Sequence, residues 1–339
     1  MKRNLSRSLL VLVAGAAGLV LVAGAAGTPA SGTKAIQTRG PVAALALDGS
    51  RAAFGNGPSV IVWDVANGRQ TKVGGVGDKL LSELAIAGTR VAWRANATSN
   101  SESDDYLYTS SLLQPKQRQV AKALRFGSQC GAGESGRLPA CTGPWLGGLV
   151  GAGKRILVDR WTTNRAGAIT GGGLYALQGK RLARVAAGSR TVEAVTADPA
   201  RVAVVQWRWL RPEKTIHVYS STGRALWSVV PKSWPPLGIG VSGRNLVVLE
   251  PNGALALYDA RTGSLRKTFH LHAAIPPKHQ RSYSNPQGLQ ALSVQGNIAV
   301  YSKPVRLKRG IPSESAIHAV NLSTGKDRAV GTSRGQIPL

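Results

Sequence analysis

Short apolar stretches alternate with tight polar turns along most of the chain after residue 40. One module recurs six times: an apolar strand, a turn that usually contains glycine, and a second apolar strand that usually begins near an arginine. The six copies cover residues 44–54, 83–93, 148–158, 194–204, 238–248 and 291–301. A second hairpin follows each copy, so every repeat of this long period contains four strands.

The turns of these hairpins contain the dipeptides DG, AG, SG, QG, NG and TG, whose glycines supply the positive φ angles that short hairpins need. Most of the strands are apolar on both sides and must therefore be covered on both faces. Four-stranded antiparallel sheets stacked around an axis meet that requirement. We therefore predict an all-β fold, a six-bladed β-propeller over residues 41–335. Seven blades are the alternative if residues 34–40 complete a blade of their own.

Three phrases mark the step from the third to the fourth strand of a blade: Val62-Trp63-Asp64, Leu257-Tyr258-Asp259 followed by Thr262-Gly263, and the run 222–227, TGRALW. They resemble the blades of the WD-repeat and quinoprotein-like classes of β-propeller. The resemblance covers residues 41–331 and implies a structural signature, with no particular activity. Together with the N-terminus, the chain resembles a bacterial-type exported protein.

The N-terminus has the features of a targeting segment. Lys2, Arg3 and Arg7 precede an uncharged run at 8–27 that is rich in Leu, Val, Ala and Gly. This pattern is typical of a secretory signal peptide, and the run is also long enough for an uncleaved membrane anchor. We expect residues 1–30 to be the signal or anchor and residues 31–40 a linker. The propeller would then be extracytoplasmic, either secreted or tethered by this segment.

Loop lengths distinguish the two ends of each predicted blade. The short-turn face carries the connections between strands one and two and between strands three and four. The long-loop face carries the other connections and nearly all the insertions, including 94–105, 159–172, 206–214 and 302–315. Because long loops on a rigid frame often bind partners, we predict a binding surface there, formed by Trp161, Trp207, Trp209, Arg160, Arg208, Arg211, Arg306, Arg309 and Tyr283. The alternative is that these tryptophans only plug the loops against the blades.

Charge is the next constraint, because 43 Lys and Arg residues against 16 Asp and Glu give a formal net charge of +27. Arginine recurs near the first turn of five blades, at Arg51, Arg90, Arg155, Arg201 and Arg244. A positive ring of this kind serves either solubility and protection of strand edges or attachment to an anionic polymer. For an exported chain we expect a protein or an anionic cell-envelope polymer as partner and no nucleic acid. We also expect a monomer, with membrane contact only through an uncleaved N-terminal segment.

Catalytic signals are weak. The run 148–155 matches a phosphate-binding loop as far as Lys154, but Arg155 replaces the required Ser or Thr and a strand replaces the helix. Alignment of the innermost strands by their turns places Glu83 and Glu193 at one position in blades two and four, at the mouth of the central channel. They would hold a cation or pair with arginines. We predict no catalytic residue, metal or cofactor.

These observations predict an exported, non-enzymatic binding module. The alternative is a lyase or lactonase of the propeller type that acts at the channel mouth. Cys130 and Cys141 lie close together in a Gly-rich loop between blades. In an exported protein they are expected to form a local disulfide bond.

Overall fold

The computed structural model describes residues 8–15, 18–23, 33–38, 42–98, 103–126, 143–164, 169–187, 191–207, 215–232, 236–250, 253–271, 292–308 and 311–334. Within these ranges the chain forms β-strands and turns and no α-helix. It divides into two compact units, residues 42–229 and residues 1–41 with 230–339. The predicted all-β fold is confirmed.

The N-terminal residues form a small sheet of three antiparallel strands. They are β1 (Ser8–Gly15), β2 (Gly18–Ala23) and β3 (Thr33–Thr38), in the order β2-β1-β3. Since β3 belongs to this three-stranded sheet, the described residues 34–38 do not complete a seventh four-stranded blade. Across the described ranges there is no helix that is long and apolar enough to span a membrane. The signal or anchor at the N-terminus stays a prediction.

The unit of residues 42–229 contains four consecutive four-stranded antiparallel blades. Blade one is β4 (Val42–Asp48), β5 (Arg51–Asn56), β6 (Ser59–Asp64) and β7 (Gln70–Gly75). Blade two is β8 (Leu80–Ala87), β9 (Arg90–Thr98), β10 (Ser103–Ser111) and β11 (Arg118–Phe126). Blade three is β12 (Trp145–Ala152), β13 (Arg155–Thr163), β14 (Ile169–Gln178) and β15 (Arg181–Ala187). Blade four is β16 (Thr191–Ala197), β17 (Arg201–Trp207), β18 (Ile216–Ser220) and β19 (Ala225–Val229).

The second unit contains the remaining two blades. Blade five is β20 (Gly238–Ser242), β21 (Asn245–Leu249), β22 (Ala254–Asp259) and β23 (Leu265–His270). Blade six is β24 (Ser293–Gln295), β25 (Ile298–Lys308), β26 (Ile311–Asn321) and β27 (Asp327–Arg334). The six predicted repeats correspond to these six sheets, as in a six-bladed β-propeller. The match to a phosphate-binding loop falls on the β12–β13 hairpin, whose turn holds Lys154.

The hydrophobic core lies between neighbouring blades. Between blades one and two, Trp93 is fully buried against Val62 and Val73. Its ring fills the space beside Gly74, where a Cβ atom would come within 2.5 Å of the ring. Similar clusters join blades two and three, three and four, and five and six. The strands are apolar on both faces for this reason.

The innermost strands of the larger unit lie side by side, β4 next to β8, β8 next to β12 and β12 next to β16. This approach is close. A Cβ atom at Gly151 in β12 would collide with the backbone carbonyl of Ile86 in β8. Each of these four strands also has a β-bulge toward its long-loop end, for example between Leu81 and Glu83. Bulges bend a strand and re-aim its side chains.

Candidate binding surfaces

The structure describes part of the predicted long-loop surface. Side chains are described for Glu83, Arg160 and Trp161. For Trp207, Arg306 and Glu193 it describes the strand positions only. The remaining predicted residues lie outside the described residues: Trp209, Arg208, Arg211, Arg309, Tyr283, Cys130 and Cys141.

Several segments that were expected to be loops are strands. The predicted insertion 159–172 is largely occupied by the ends of β13 and β14, and 302–315 by the long β25–β26 hairpin. Arg306 lies opposite Glu314 in that hairpin. Trp161 therefore belongs to a strand, and the expectation of a loop tryptophan was wrong. Extra residues inserted as antiparallel pairs continue the ladder, and their backbone groups are satisfied without a loop.

Two tryptophans face each other at the long-loop end of blade three. Trp145 and Trp161 are direct partners in the β12–β13 ladder, and both are half-buried. The Trp145 Nε1 donates to Thr163 Oγ1 at 3.2 Å. The Trp161 ring lies over Gly147, where a Cβ atom would stand 2.9 Å from the ring and 2.6 Å from Asp159 Oδ2. On the other face of the same strand, the Arg160 guanidinium lies 5.8 Å from the Tyr175 ring centroid. At this strand end the two tryptophans therefore lie on one face of the sheet, and Arg160 with Tyr175 lies on the other.

Glu83 forms a salt bridge. Its Oε1 lies 3.2 Å from Nη2 of Arg94, which stands opposite it in the β8–β9 ladder. Arg94 also donates from Nη1 to the carbonyls of Leu146 and Gly147 in blade three, at 2.7 and 3.1 Å, and from Nε to Ser82 Oγ at 3.2 Å. Of the two predicted roles of this glutamate, pairing with an arginine is the one observed. Arg94 thus joins the innermost strands of blades two and three.

Glu83 and Glu193 share a position counted from the turn, as predicted, but they differ in strand pairing. Glu83 is the fifth residue back from Ala87 and lies opposite Arg94 in the fifth pair of its ladder. Glu193 is the fifth residue back from Ala197, but there the ladder passes from the Ala194–Val205 pair directly to the Val192–Gln206 pair. Glu193 falls within the bulge between Val192 and Ala194. A bulge adds one residue to one strand only. Glu193 is therefore the extra residue of its bulge, whereas Glu83 precedes the bulge of its own strand and is paired across the ladder.

A cluster that the sequence analysis missed surrounds Tyr106 at the long-loop end of blade two. Lys79 Nζ and Lys122 Nζ lie 5.1 and 5.5 Å from the ring centroid, within the range of cation–π contacts. Lys122 also pairs with Asp104 Oδ2 at 2.7 Å, and Tyr106 Oη donates to the same oxygen at 3.1 Å. The hydrogen bond to Asp104 raises the pKa of Lys122. The sequence signal that could have revealed this cluster is the alternation of Asp104 and Tyr106 in β10, with Lys122 on the paired strand β11.

The recurring arginines of the short-turn face connect neighbouring blades. Arg51 donates from Nη1 to the carbonyl of Gly88, Arg90 to the carbonyl of Leu177 at 3.0 Å, and Arg155 to the carbonyl of Ser221 at 3.3 Å. Each carbonyl belongs to the next blade. Arg201 and Arg244 pair within their own blades, with Asp198 at 3.6 Å and Asp259 at 3.0 Å. Arg51, Arg90 and Arg155 therefore hold adjacent blades together by hydrogen bonds, a role that differs from both predicted ones, solubility and attachment to a polymer.

Acidic and basic side chains differ sharply in burial. Among the described side chains, no Lys, Arg or His is buried, whereas six acids are: Asp104, Asp105, Asp159, Asp198, Glu250 and Asp259. Several of these acids hold turns. Asp198 Oδ1 accepts the backbone N–H groups of Ala200 and Arg201, both at 2.7 Å. The surface is therefore more uniformly cationic than the composition alone indicates.

The described residues contain no group of three His, Cys, Asp or Glu side chains with the spacing of a metal site. No family model and no curated protein matches the sequence. Among solved structures, the chain is similar to the computationally designed Ika8 protein (12% identity, 87% of each chain covered, TM-score 0.45). It is also similar to a chain of a nidogen/laminin complex (12% identity, 79% of this chain and 94% of that chain, TM-score 0.45). For tricorn protease the identity is 14% and the TM-score 0.47, with 85% of this chain and 26% of that chain covered.

Proposed function

We propose that this protein is an exported, non-enzymatic β-propeller that binds an anionic polymer of the cell envelope through its long-loop face. The observation that carries the proposal is the unequal burial of charge. Six acids are buried and no described cation is. A surface of this sign attracts polyanions over a distance of about 8 Å at physiological salt.

The long-loop face supports the proposal because arginine and aromatic side chains meet there. In blade three, Arg160 lies over Tyr175, and the half-buried Trp145 and Trp161 stand side by side. Arginine and tryptophan are enriched among the residues that contribute most to binding. Bulges in the innermost strands of the larger unit lie toward the same end. The predicted loop residues Trp209 and Arg211 would extend this surface.

The alternative function, a lyase or lactonase at the channel mouth, depended on Glu83 and Glu193 as a pair. The carboxylate of Glu83 is held by Arg94, and Glu193 falls within a bulge whereas Glu83 is paired across its ladder. No described observation favours this alternative over binding. We also propose that the blades are of the WD-repeat or quinoprotein-like subclass, as phrases such as Val62-Trp63-Asp64 suggest. In this phrase Asp64 accepts the Ala66 N–H at 3.0 Å, which is a turn contact.

The binding test uses the full chain and isolated cell walls that carry phosphodiester polymers, with the same walls stripped of those polymers by acid as reference. A long-loop variant, Arg160→Gln with Arg211→Gln, is compared with a short-turn variant, Arg224→Gln with Arg328→Gln. Both variants lose two positive charges. Central arginine contacts contribute about 2 kcal/mol each, so the long-loop variant should bind at least about tenfold more weakly than the short-turn variant.

The proposal fails if stripped and intact walls capture the protein equally, because the partner is then not the polymer. It also fails if the two variants lose affinity equally, since the long-loop face then has no special role. Export is tested separately by fractionation of cells that express the full chain. Recovery of the protein in the cytoplasmic fraction alone would contradict it.

A further inference from the structure

A cavity of about 330 Å³ opens at the short-turn end of blades five and six. Its lining consists of the β20–β21 turn, one residue of β23 and the β24–β25 turn: Ser242, Gly243, Arg244, Asn245, Arg266, Gly296 and Asn297. The volume is at the lower end of the range of small-molecule sites, about 300–1,000 Å³. Two arginines and no carboxylate are found among the described residues that line this cavity.

Asn245 organises the lining. It is almost fully buried, and each of its polar atoms is used. Its Oδ1 accepts a hydrogen bond from Arg266 Nη1 at 3.0 Å. Its Nδ2 donates to the carbonyl of Gly296 at 2.7 Å and to Asn297 Oδ1 at 3.1 Å. One guanidinium and the neighbouring turn are therefore held in place from below, without a ligand.

The hydrogen bonds within the lining use its acceptor atoms, and several N–H and O–H donors remain available to a ligand. The side-chain oxygen of Asn297, Oδ1, accepts the hydrogen bond from Asn245. The side-chain NH2 group of Asn297 remains as a donor. The Ser242 hydroxyl oxygen accepts the Gly296 N–H at 3.0 Å, and its own O–H remains to donate. Each guanidinium has five N–H donors. Arg266 uses one for Asn245, and Arg244 uses one for Asp259.

The carboxylate of Asp259 does not cancel the positive charge of the cavity. It lies outside the lining, is buried, and accepts the Arg261 N–H through its other oxygen, Oδ1, at 2.8 Å. That backbone hydrogen bond, together with Arg244, lowers the pKa of the Asp259 carboxyl. Its single negative charge stands against two guanidinium groups, so the cavity retains a positive charge.

We propose that this cavity is a binding site for a phosphate group, taken either as free phosphate or as the phosphodiester of a polymer or lipid headgroup. Forked guanidinium donors match tetrahedral oxyanions, and glycine turns let the backbone approach the ligand. The site lies on the short-turn face and is independent of the function proposed for the long-loop face.

The test is a calorimetric titration of the full chain with inorganic phosphate at low ionic strength. Arg244→Gln and Arg266→Gln remove the lining charges one at a time, and Arg328→Gln is the control, an exposed arginine of the same unit. Saturable binding is expected. Each lining variant should weaken it at least about tenfold, as expected for loss of a charge-assisted hydrogen bond, and the control should leave it within about twofold.

Parallel titrations with a glycerol phosphodiester oligomer and with phosphatidylglycerol vesicles identify the source of the phosphate group, because the source with the highest affinity is the physiological class. The proposal is overturned if none of the three ligands binds saturably. It is also overturned if Arg328→Gln weakens binding as much as the lining variants, since binding would then reflect net charge only. Melting curves of the variants confirm that the fold is intact.

Discussion

Arg94 provides the sharpest test of how blades two and three are held together. In the variant Arg94→Met the long apolar stem remains, but the guanidinium and all its contacts are lost. These are the ion pair with Glu83 at 3.2 Å, the bonds to the carbonyls of Leu146 and Gly147, and the bond to Ser82 Oγ. The first consequence is that two carbonyls of blade three lose a charged donor.

The expected magnitude follows from these contacts. Hydrogen bonds to a charged group contribute about 1.5–3 kcal/mol each, and removal of one partner of a fully buried ion pair costs about 3–5 kcal/mol. The Glu83 side chain is 31% exposed, so solvent screens part of the effect. We expect Arg94→Met to lower the free energy of unfolding by about 3 kcal/mol. Glu83→Gln should cost about 1 kcal/mol.

The assay is urea unfolding followed by tryptophan fluorescence, with Arg118→Met as the matched control. Arg118 lies in the same blade and is exposed, so its variant should change stability by less than about 0.5 kcal/mol. For an m-value of about 3 kcal/mol/M, the urea midpoint of Arg94→Met falls by about 1 M. If Arg94→Met and Arg118→Met have the same midpoint at an unchanged m-value, Arg94 does not join the two blades.

Three further predictions concern packing, pH and the cysteines. Gly151→Ala should destabilise the fold by about 1–3 kcal/mol, because a Cβ atom there collides with the Ile86 carbonyl; an unchanged urea midpoint would contradict the close approach of the two strands. Burial raises the pKa of Tyr301 in the folded state, so its contribution to stability is complete below about pH 10 and is lost as the pH rises further. Unfolding free energies measured at alkaline pH should therefore fall less steeply in Tyr301→Phe, and equal slopes would refute this origin. Thiol titration of protein recovered from outside the cytoplasm should find no free thiol at Cys130 or Cys141, whose bond would contribute about 3 kcal/mol at most. Two reactive thiols would exclude the bond.

The blades could be predicted from the sequence because their signals are local. Most of the hairpin turns carry a glycine as marker, such as Gly88 with a φ of 57° or Gly243 with a φ of 58°. Strand ends were less accessible. At Trp161 the strand continues beyond the apolar core through its pairing with β14. The sequence could not show this extension, because the residues of a polar stretch do not reveal whether it pairs with another strand. The bulge at Glu193 was equally hidden, since an extra residue on one strand leaves no mark in the residues themselves.

The contacts of the candidate sites were the least predictable part. Arg90 was recognised as a repeated residue, but its acceptor is the Leu177 carbonyl, 87 positions away in the sequence. Arg266 lies on a strand with no distinguishing pattern, and only the fold brings it next to Asn245 and Asn297. Residue type and period indicate which side chains recur, whereas the acceptor of each donor depends on the packing of one blade against the next.

The burial of the acids has a consequence for how the protein responds to its surroundings. The exposed cations include many arginines, whose guanidinium groups keep their charge at any physiological pH. The buried carboxylates, such as Asp198, are tied to turn amides inside the fold. The charge of these arginines is therefore the same in mildly acidic and in neutral media. Dissolved salt is different, because raising it from 0.1 to 1 M shortens the reach of that charge from about 10 to about 3 Å. Ionic strength therefore sets how far the charge of this surface acts.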